Sequence, residues 1–331
     1  MQQEIQKFWE ILKKSKKILL INHIRMDGDA WGSLAGLALL LKKLNKEVQA
    51  INDCEVPPAL SFLGNTELVD PDLDLQKYSP DIIISLDASD TERLGKSYEK
   101  WKDIFQKTPL IVIDHHISNP RFWNINIIDA EVSSTCELLT FVIESLWLTE
   151  YIDTEIATFL YLGLQTDTNM YFNANVTAET LRTGAKLIEL WADYRSVISE
   201  MFQKKSFTQL RLWGTLIENM RQNTSWTLSY SSLSKYDIAK LDIMRSEIWG
   251  YLKGAINELL INIEGTKIAF LVYPLSLDEN KVSMRSQAWY DVATICESFG
   301  WGGHTQAAWF QSFESQEVII EKLLRKVKEY L

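Results

Sequence analysis

Glycine and cysteine are scarce in this chain of 331 residues, and no apolar run is long. Glycine accounts for 14 residues, about 4%, where about 7% is usual. The three cysteines, Cys54, Cys136 and Cys296, form no CxxC pair, so we expect reduced thiols in a reducing compartment. The longest apolar run, residues 34–41, is too short to cross a bilayer, and the first residues lack the pattern of a signal peptide. These absences predict a cytoplasmic protein without a membrane partner.

Basic charge is also in short supply. The 34 Lys and Arg residues stand against 44 Asp and Glu residues, which gives a formal net charge of −10. Such a protein repels a long phosphate backbone, so we exclude non-specific binding of long nucleic acid, long duplexes included. The net charge does not exclude binding of a short phosphate ligand in a local basic pocket. Apolar residues make up 46% and charged residues 24%, which is typical of a globular protein and not of disorder, collagen or coiled coil.

The apolar pattern predicts an α/β fold. Short runs that are apolar on both faces read as buried strands, and they occur at residues 18–21, 48–51, 82–86 and 110–113. Segments with helical spacing occur at residues 4–14, 30–43, 134–148, 153–164 and 177–190. Buried strands separated by helices indicate a parallel sheet with helices on both faces.

The pattern changes around residues 191–222, where we expect a long amphipathic helix that connects two domains. Strands at 224–230, 267–273 and 281–285 follow, with helices near 246–260, 290–299 and 315–330. We therefore expect a first domain over residues 1–195, a helical connector over 196–222, and a smaller α/β domain over 223–331.

Polar residues collect where the strands of the first domain end. The group contains His23, Asp27, Asp29, Asp87, Asp114, His115 and His116. The carboxyl ends of parallel strands form one edge, which is the usual ligand crevice of such a sheet. Asp167 follows the apolar helix 153–164 and joins the same set. A single aspartate at a strand end is more often a helix cap, but three of the four histidines of the chain lie in this constellation.

So many carboxylates at one edge need compensating positive charge. Two divalent cations would supply it, and aspartate oxygen combined with imidazole nitrogen suits Mn²⁺, with Mg²⁺, Co²⁺ or Zn²⁺ as the other choices. Paired cations are suited to in-line displacement at phosphorus, so the sequence predicts a phosphoesterase.

The motifs resemble the DHH phosphoesterases. The similarity rests on His23-x₃-Asp27-x-Asp29-x₂-Gly32-Ser33, then Asp87, then Asp114-His115-His116, then Asp167-Thr168. It continues with Ser283-Met-Arg285-Ser286, Asp291 and Gly300-Trp-Gly302-Gly303-His304, which resemble the DHH-associated C-terminal domain. The similarity runs from about residue 16 to residue 312.

The resemblance implies a role for each residue of the first domain. His23 and Asp27 would hold the first metal, Asp29, His115 and Asp167 the second, and Asp87 both. His116 would contact the scissile phosphate and donate a proton to the leaving oxygen, with Asp114 orienting the histidines. Arg93 is either a phosphate contact or a surface bystander.

For the second domain, the resemblance implies binding of the uncleaved part of the substrate, with the active site in a cleft between the domains. The residues concerned are Arg285, Ser286, Gly302, Gly303 and His304. Arginine grips phosphate bidentately, and consecutive glycines let backbone N–H groups approach it. A tight turn before a strand is the alternative explanation of the glycines.

The length and the two-domain arrangement most resemble the group that contains oligoribonuclease and 3′-phosphoadenosine-5′-phosphate (pAp) phosphatase. We therefore expect hydrolysis of short oligonucleotides (nanoRNA) to mononucleotides, of pAp to AMP, or both. A cyclic-di-AMP or pApA phosphodiesterase, and a catalytically inactive nucleotide-binding module, are the alternatives. The sequence is compatible with a homodimer and does not decide the oligomeric state.

Tryptophan is unusually common in this chain, with 12 residues. Trp123, Trp191, Trp301 and Trp309 stand where the family pattern has glycine. We expect Trp301 and Trp309 in loops that need positive φ or a close backbone approach to phosphate, where a bulky side chain is an outlier. Two hypotheses are open: some of these codons are UGA read as glycine in the source lineage, or Trp301 stacks on a substrate base.

Overall fold

The computed structural model describes residues 1–121, 123–241, 243, 248–252 and 254–331, without the side chains of Trp249 and His304. The chain forms two compact units, Met1–Lys204 and Lys205–Leu331. Among the described residues, no helix is both long enough and apolar enough to cross a membrane.

The first unit is built on a five-stranded parallel sheet with strand order β2-β1-β3-β4-β5. Its strands are β1 (Lys17–Asn22), β2 (Glu47–Ile51), β3 (Ile82–Leu86), β4 (Leu110–Asp114) and β5 (Ile125–Ile128). β3 and β4 are buried at every position, because apolar residues fill both of their faces.

Nine α-helices belong to this part of the described chain. They are α1 (Gln2–Lys14), α2 (Gly28–Lys43), α3 (Leu75–Tyr78), α4 (Gly95–Lys100), α5 (Lys102–Lys107), α6 (Thr135–Ser145), α7 (Thr154–Asp167), α8 (Ala178–Glu189) and α9 (Tyr194–Ile198). Two hydrophobic clusters lie on the sheet: Ile18, Leu20 and Ile84 belong to one, and Leu19 and Ile83 to the other. Since neighbouring strand residues point to opposite faces, both faces are covered.

Helices α2 and α7 pack closely because glycine stands at their contact. A Cβ on Gly32 would lie 2.3 Å from the carbonyl oxygen of Phe159, and a Cβ on Gly163 would lie 2.5 Å from Asp29 Oδ1. Real Cβ atoms essentially never approach so closely. Because these glycines have no side chain, Asp29 of α2 can lie directly against α7, at the polar edge of the sheet.

The second unit has a six-stranded sheet of order β10-β11-β9-β8-β7-β6. The strands are β6 (Arg221–Gln222), β7 (Leu228–Ser232), β8 (Ile268–Pro274), β9 (Asn280–Ser286), β10 (Gly303–His304) and β11 (Ala307–Ser312). Its helices are α10 (Phe207–Glu218), α11 (Lys235–Lys240), α12 (Ile248–Leu252), α13 (Val292–Glu297) and α14 (Gln316–Val327). All pairs are antiparallel except β7 with β8. The predicted fold class, a parallel-sheet α/β domain with a smaller α/β domain after it, is confirmed.

Two of the differences between the structure and the predicted elements have a clear physical cause. The connector is not one long helix: α9 continues as a π-helix, Ser199–Gln203, and a new helix begins at Phe207. Lys204 is extended, and the Ser206 side chain accepts from the N–H of Gln209, so the chain breaks and caps a fresh helix there. The edge strand β5 was not predicted, because the polar residue Asn126 interrupts its apolar pattern.

The backbone at two tryptophans also differs from expectation. Trp301 and Trp309 are absent from the set of described residues with positive φ, so the first of the two alternatives predicted for them, a left-handed backbone, is wrong. Their rings pack against each other with centroids 4.7 Å apart, and Lys281 Nζ lies 4.4 Å from the centroid of Trp309. The turn that precedes them is left-handed at Gly300, with φ of 82°.

Candidate metal centre

The ends of β1, β3 and β4 deliver histidine and aspartate to one edge of the parallel sheet. His23 follows β1, Asp87 follows β3, and His115 follows β4. Asp87 has a φ of 56°, which is rare for a residue other than glycine and is the kind of backbone strain that collects at functional sites. Asp167 is the last residue of α7, since this helix runs three residues further than predicted.

One group of potential ligand atoms comes from His23, Asp27 and Asp87, and the atoms lie within 4.8 Å of one another. His23 Nε2 is 3.3 Å from Asp87 Oδ2 and 3.6 Å from Asp27 Oδ2. Asp27 also caps α2, because its Oδ1 accepts from the N–H groups of Asp29 and Ala30. It therefore caps α2 with Oδ1 and faces His23 with Oδ2.

A second group comes from Asp29, His115 and Asp167, again within 4.8 Å. His115 Nε2 lies 3.2 Å from Asp167 Oδ2 and 3.9 Å from Asp29 Oδ2. It also lies 3.6 Å from Asp87 Oδ1. Asp87 thus turns one oxygen toward His23 and the other toward His115, which places it between the two groups.

Helix α6 holds Asp29 in place. The N–H of Thr135 donates to Asp29 Oδ2 at 2.6 Å, and the N–H of Cys136 donates to Asp29 Oδ1 at 2.9 Å. The hydroxyl of Thr135 donates to Asp87 Oδ1 at 3.0 Å. The first turn of a helix favours negative charge, so α6 stabilises a carboxylate that is completely buried.

The crowding of carboxylates shifts their proton affinities. Burial, together with repulsion from Asp87 and Asp167, raises the pKa of Asp29 well above its usual range. Burial alone would lower the pKa of His115, but Asp167, Asp29 and Asp87 outweigh it and raise the pKa to about 10. For His23, burial is likewise outweighed by Asp27 and Asp87, and its pKa rises to about 9.

His116 lies between an acid and a guanidinium. Its Nδ1 is 2.7 Å from Asp114 Oδ1, and its Nε2 is 3.0 Å from Arg93 Nη1. A guanidinium only donates, so Nε2 accepts here and Nδ1 carries the proton that Asp114 accepts. Arg93, which the sequence left as either a phosphate contact or a bystander, therefore lies at this site.

Sequence reasoning missed two residues of the site, Thr135 and Asn119. The Nδ2 of Asn119 donates to Asp114 Oδ2 at 2.6 Å, and Thr135 contacts both Asp29 and Asp87 as described above. Asn119 stands only five residues after Asp114, so its proximity to the motif was a usable signal. Nothing in the sequence indicated Thr135, because it comes from a helix whose start was predicted only approximately.

The residues at this edge fit divalent cations. His23 is buried, and neither of its ring nitrogens makes a hydrogen bond of good geometry, although carboxylate oxygens of Asp27 and Asp87 lie 3.6 and 3.3 Å from Nε2, so a cation between them would satisfy these atoms. In three groups of described residues, carboxylate oxygens lie within 4.8 Å of histidine nitrogens. A donor set of imidazole nitrogen and carboxylate oxygen suits Mn²⁺ and related ions.

In the second unit, the strand register places Arg285, Ala307 and His304 side by side on β9, β11 and β10. The Nη1 of Arg285 donates to the carbonyl of Met284 at 2.8 Å, and the Ser286 hydroxyl donates to the carbonyl of Tyr290 at 2.5 Å. The predicted role of the His304 side chain lies outside the described residues.

The two loop glycines differ in what they do. A Cβ on Gly303 would lie 2.6 Å from the Cα of Ala308, so this glycine permits the pairing of β10 with β11. A Cβ on Gly302 would meet only the side chain of Glu297, at 3.6 Å. Strand pairing therefore explains the glycine at position 303. At Gly302, the predicted close approach of the backbone N–H group to a phosphate stays a prediction.

Comparison with known proteins adds a family and relatives. Residues 17–164 match the model of the DHH family, N-terminal domain. A protein of Thermus thermophilus named bifunctional oligoribonuclease and PAP phosphatase NrnA is 28% identical over 317 residues, 91% of this chain and 88% of that protein. A protein of the same name from Bacillus subtilis is 25% identical over 322 residues, 95% of each chain.

Among solved structures, an exopolyphosphatase-related protein from Bacteroides fragilis has the same fold. The match has a TM-score of 0.85 at 24% identity and covers 100% of this chain and 97% of the other. The parallel sheet of the first unit and the smaller sheet of the second unit thus belong to a fold that occurs elsewhere.

Proposed function

Because residues 17–164 form a DHH-family domain, we propose that the protein is a metal-dependent phosphoesterase for short oligonucleotides, for pAp, or for both. The observation that carries the proposal is Asp87, whose two oxygens face His23 and His115 in separate ligand groups. The substrate class rests on the two relatives named oligoribonuclease and PAP phosphatase, which align with nearly the whole chain.

The metal assignment follows the two ligand groups. His23, Asp27 and Asp87 would hold one cation, and Asp29, His115, Asp167 and Asp87 the other, with Mn²⁺ as the proposed metal. Bound cations there would neutralise charge on the phosphoryl oxygens during displacement. Thr135 and the first turn of α6 would hold Asp29 and Asp87 in the orientation that the cations need.

His116 and Arg93 act on the phosphate itself. Arg93 holds the Nε2 of His116 in the free protein, and a phosphate is a stronger bidentate partner for a guanidinium than an imidazole nitrogen is. Substrate binding would therefore transfer Arg93 to the phosphate and release Nε2. The freed Nε2 would take a proton from water, Asp114 would stabilise the resulting imidazolium through Nδ1–H, and Nε2 would then donate that proton to the leaving oxygen.

A parallel product analysis tests the proposed function. The protein in Mn²⁺ is incubated with pAp, pApA, cyclic-di-AMP, a dinucleotide and a long RNA, and products are separated by chromatography. AMP from pAp, or mononucleotides from the dinucleotide, supports the proposal. Cleavage of cyclic-di-AMP or pApA alone supports the phosphodiesterase alternative, and no product from any substrate leaves the inactive binding module. A cytoplasmic location is part of the same proposal.

Metal binding is expected to stabilise the folded protein and to depend on pH. Without metal, the raised pKa values of His23 and His115, about 9 and about 10, keep both imidazoles protonated at neutral pH. Each raised pKa stabilises the metal-free fold fully below the unfolded value of about 6.5, and this stabilisation is lost as pH rises through about 9 to 10. Mn²⁺ must displace these protons, so its affinity rises with pH.

The measurement is a Mn²⁺ titration of chelator-treated protein by calorimetry and thermal unfolding. Free metal at about 100 times its Kd is expected to add about 2.7 kcal/mol to the free energy of unfolding. Proton release should accompany binding at neutral pH and decrease above the two pKa values. A Tm that ignores Mn²⁺ would contradict the metal assignment.

Arg285→Ala is expected to raise KM for nucleotide substrates more than it lowers kcat. Arg285 is proposed to bind the uncleaved part of the substrate, and loss of a charged contact to a remote group weakens binding. A small activated phosphodiester with nitrophenol leaving groups should be hydrolysed almost as before. Arg325→Ala removes an equal charge from the exposed face of α14 and serves as the control. Equal losses on both substrate types would instead indicate that Arg285 takes part in the reaction at phosphorus.

A further inference from the structure

Asn119 joins the ends of two strands at the candidate site. Its side chain is 7% exposed. The amide Nδ2 donates to Asp114 Oδ2 at 2.6 Å and lies 3.4 Å from the carbonyl oxygen of Ala88, the residue after Asp87. The other oxygen of Asp114 faces His116 Nδ1 at 2.7 Å. A single amide thus contacts the segments that carry Asp87 and His116.

We propose that Asn119 is a positioning residue, which acts through Asp114 to fix the ring of His116. This inference rests on the proposed function. A carboxylate bound through only one oxygen can rotate about its Cβ–Cγ bond, and the imidazole that it holds then turns with it. The bond from Asn119 to the second oxygen removes this rotation, in the way that outer hydrogen bonds orient the working groups of other sites.

The test compares two leaving groups. Asn119→Leu keeps the volume and removes the donor, and Asn119→Ser is a second variant with less apolar bulk. On pAp or a dinucleotide, whose leaving oxygen needs a proton, we expect kcat to fall by about 10–100-fold with little change in KM. On a nitrophenyl phosphodiester, whose leaving group needs no proton, the loss should be several-fold smaller. Asn119→Gln, which keeps an amide donor, should recover part of the activity.

Asn126→Leu is the matched control, since Asn126 lies on β5 and its amide donates to the carbonyl of Trp123 and not to a residue of the candidate site. Equal losses of kcat on both substrates, or no loss with either Asn119 variant, would overturn the positioning role. Wild-type protein that cleaves neither nucleotide would instead refute the proposed function, so the two failures are distinguishable.

Four of the twelve tryptophans have a left-handed backbone, which L-residues with large side chains rarely adopt. They are Trp147, Trp191, Trp226 and Trp289, with φ between 60° and 80°. Their side chains are 89%, 79%, 64% and 98% exposed. Trp31 and Trp213, by contrast, lie in helices and are buried, and Trp213 donates a hydrogen bond to the carbonyl of Tyr251.

Two of the four end helices in a position that favours glycine. After α6, the N–H of Trp147 donates to Glu144 and the N–H of Leu148 donates to Ile143. After α8, the N–H of Trp191 donates to Ile188 and that of Ala192 to Leu187. This pair of bonds defines the Schellman motif, whose left-handed residue is usually glycine and sometimes asparagine.

The same motif ends three other helical segments of the described chain with asparagine or glycine. Asn45 takes the position after α2, Asn169 the position after α7 and Gly300 the position after α13, each with the matching pair of hydrogen bonds. Asparagine tolerates a left-handed backbone and glycine prefers it. Three of these caps therefore carry a residue type that the geometry favours, whereas the caps at Trp147 and Trp191 carry one that it disfavours.

The other two tryptophans lie in turns that also favour glycine. Trp226 closes the turn between β6 and β7, where its N–H donates to Asn223, and a left-handed residue after such a turn is usually glycine. Trp289 is the third residue of a turn closed from Tyr290 to Gln287, and its φ of 80° is that of a type II turn, which requires glycine or asparagine there.

From these geometries we infer that Trp147, Trp191, Trp226 and Trp289 are glycines in the natural protein, encoded by UGA codons that the source organism reads as glycine. Of the four tryptophans that the sequence pattern indicated, only Trp191 is in this set, because the backbone of Trp123, Trp301 and Trp309 is not left-handed. Trp31 and Trp213 are expected to be genuine tryptophans encoded by UGG.

Peptide mass spectrometry of the protein from its source organism, together with inspection of the codons, tests the inference directly. Glycine at the four positions and tryptophan at Trp31 and Trp213 supports it. Tryptophan, or a UGG codon, at all four positions overturns it, and at any one it overturns the assignment of that position.

A stability series on the recombinant protein tests the physical basis. Each of Trp147→Gly and Trp191→Gly is expected to raise Tm by about 2–4 °C, because glycine relieves the left-handed strain. The alanine variants keep the Cβ and should gain much less. Phe313→Gly removes an equally exposed aromatic side chain from an ordinary backbone and should not raise Tm. Alanine gains equal to those of glycine would overturn the geometric argument.

Discussion

Asp87→Ala is expected to abolish hydrolysis of every substrate while leaving the protein folded. Among the described carboxylates, only Asp87 faces both His23 and His115, so its removal disturbs both proposed cations at once. Loss of a single donor that stabilises transition-state charge costs about 10²–10³ in kcat, and loss of this carboxylate should exceed that. The measurement is kcat in saturating Mn²⁺, with circular dichroism to establish folding.

A matched control distinguishes the site from ordinary helix capping. Asp74 caps α3 and accepts from the N–H groups of Gln76 and Lys77. Asp74→Ala should cost about 1 kcal/mol of stability and leave turnover unchanged. If folded Asp87→Ala protein retains wild-type turnover in Mn²⁺, the assignment of Asp87 to two cations is wrong.

A strong preference for short substrates is the second large effect that we expect. The net charge of −10 repels a long polyanion, and each added phosphate beyond the binding site adds repulsion without a new contact. Oligomers of about two to five nucleotides, or pAp, should have kcat/KM at least about tenfold above that of long single strands. Initial rates on a length series at fixed nucleotide concentration measure the preference.

Salt provides the check on this explanation. Added salt screens repulsion, so the disadvantage of the long strand should shrink as ionic strength rises. A protein that bound long strands through many phosphate contacts would show the reverse, with steep loss of affinity in salt. Equal or better degradation of long strands at low salt would exclude the short-site hypothesis.

Where a polar residue directly follows a strand, the sequence predicted which side chains the structure brings together. His23, Asp87 and His115 each stand directly after a run of buried apolar residues, and parallel strands must end at one edge. Such a pattern needs no knowledge of side-chain packing. The same local logic located α2 and α7, whose apolar spacing and caps are explicit in the sequence.

What the sequence did not predict depends on contacts between distant residues or on backbone angles. Thr135 reaches Asp87 only after α6 packs against the sheet, and no local pattern encodes that contact. The break between α9 and α10 depends on a serine cap that competes with helical periodicity. Left-handed φ at Trp147 is a property of how α6 ends, and the family pattern did not indicate it.

The bond from Thr135 to Asp29 has a consequence for how the protein is made. It joins residues 106 positions apart, and the last proposed ligand, Asp167, comes later still. Closing so long a loop requires α2, α6 and α7 to be assembled together, so the ligand set does not exist in a growing chain until α7 has been synthesised and has packed. Metal capture is thereby postponed until the first unit has been synthesised and folded. An incomplete nascent chain would present scattered histidines and aspartates, and these would bind a cation only weakly.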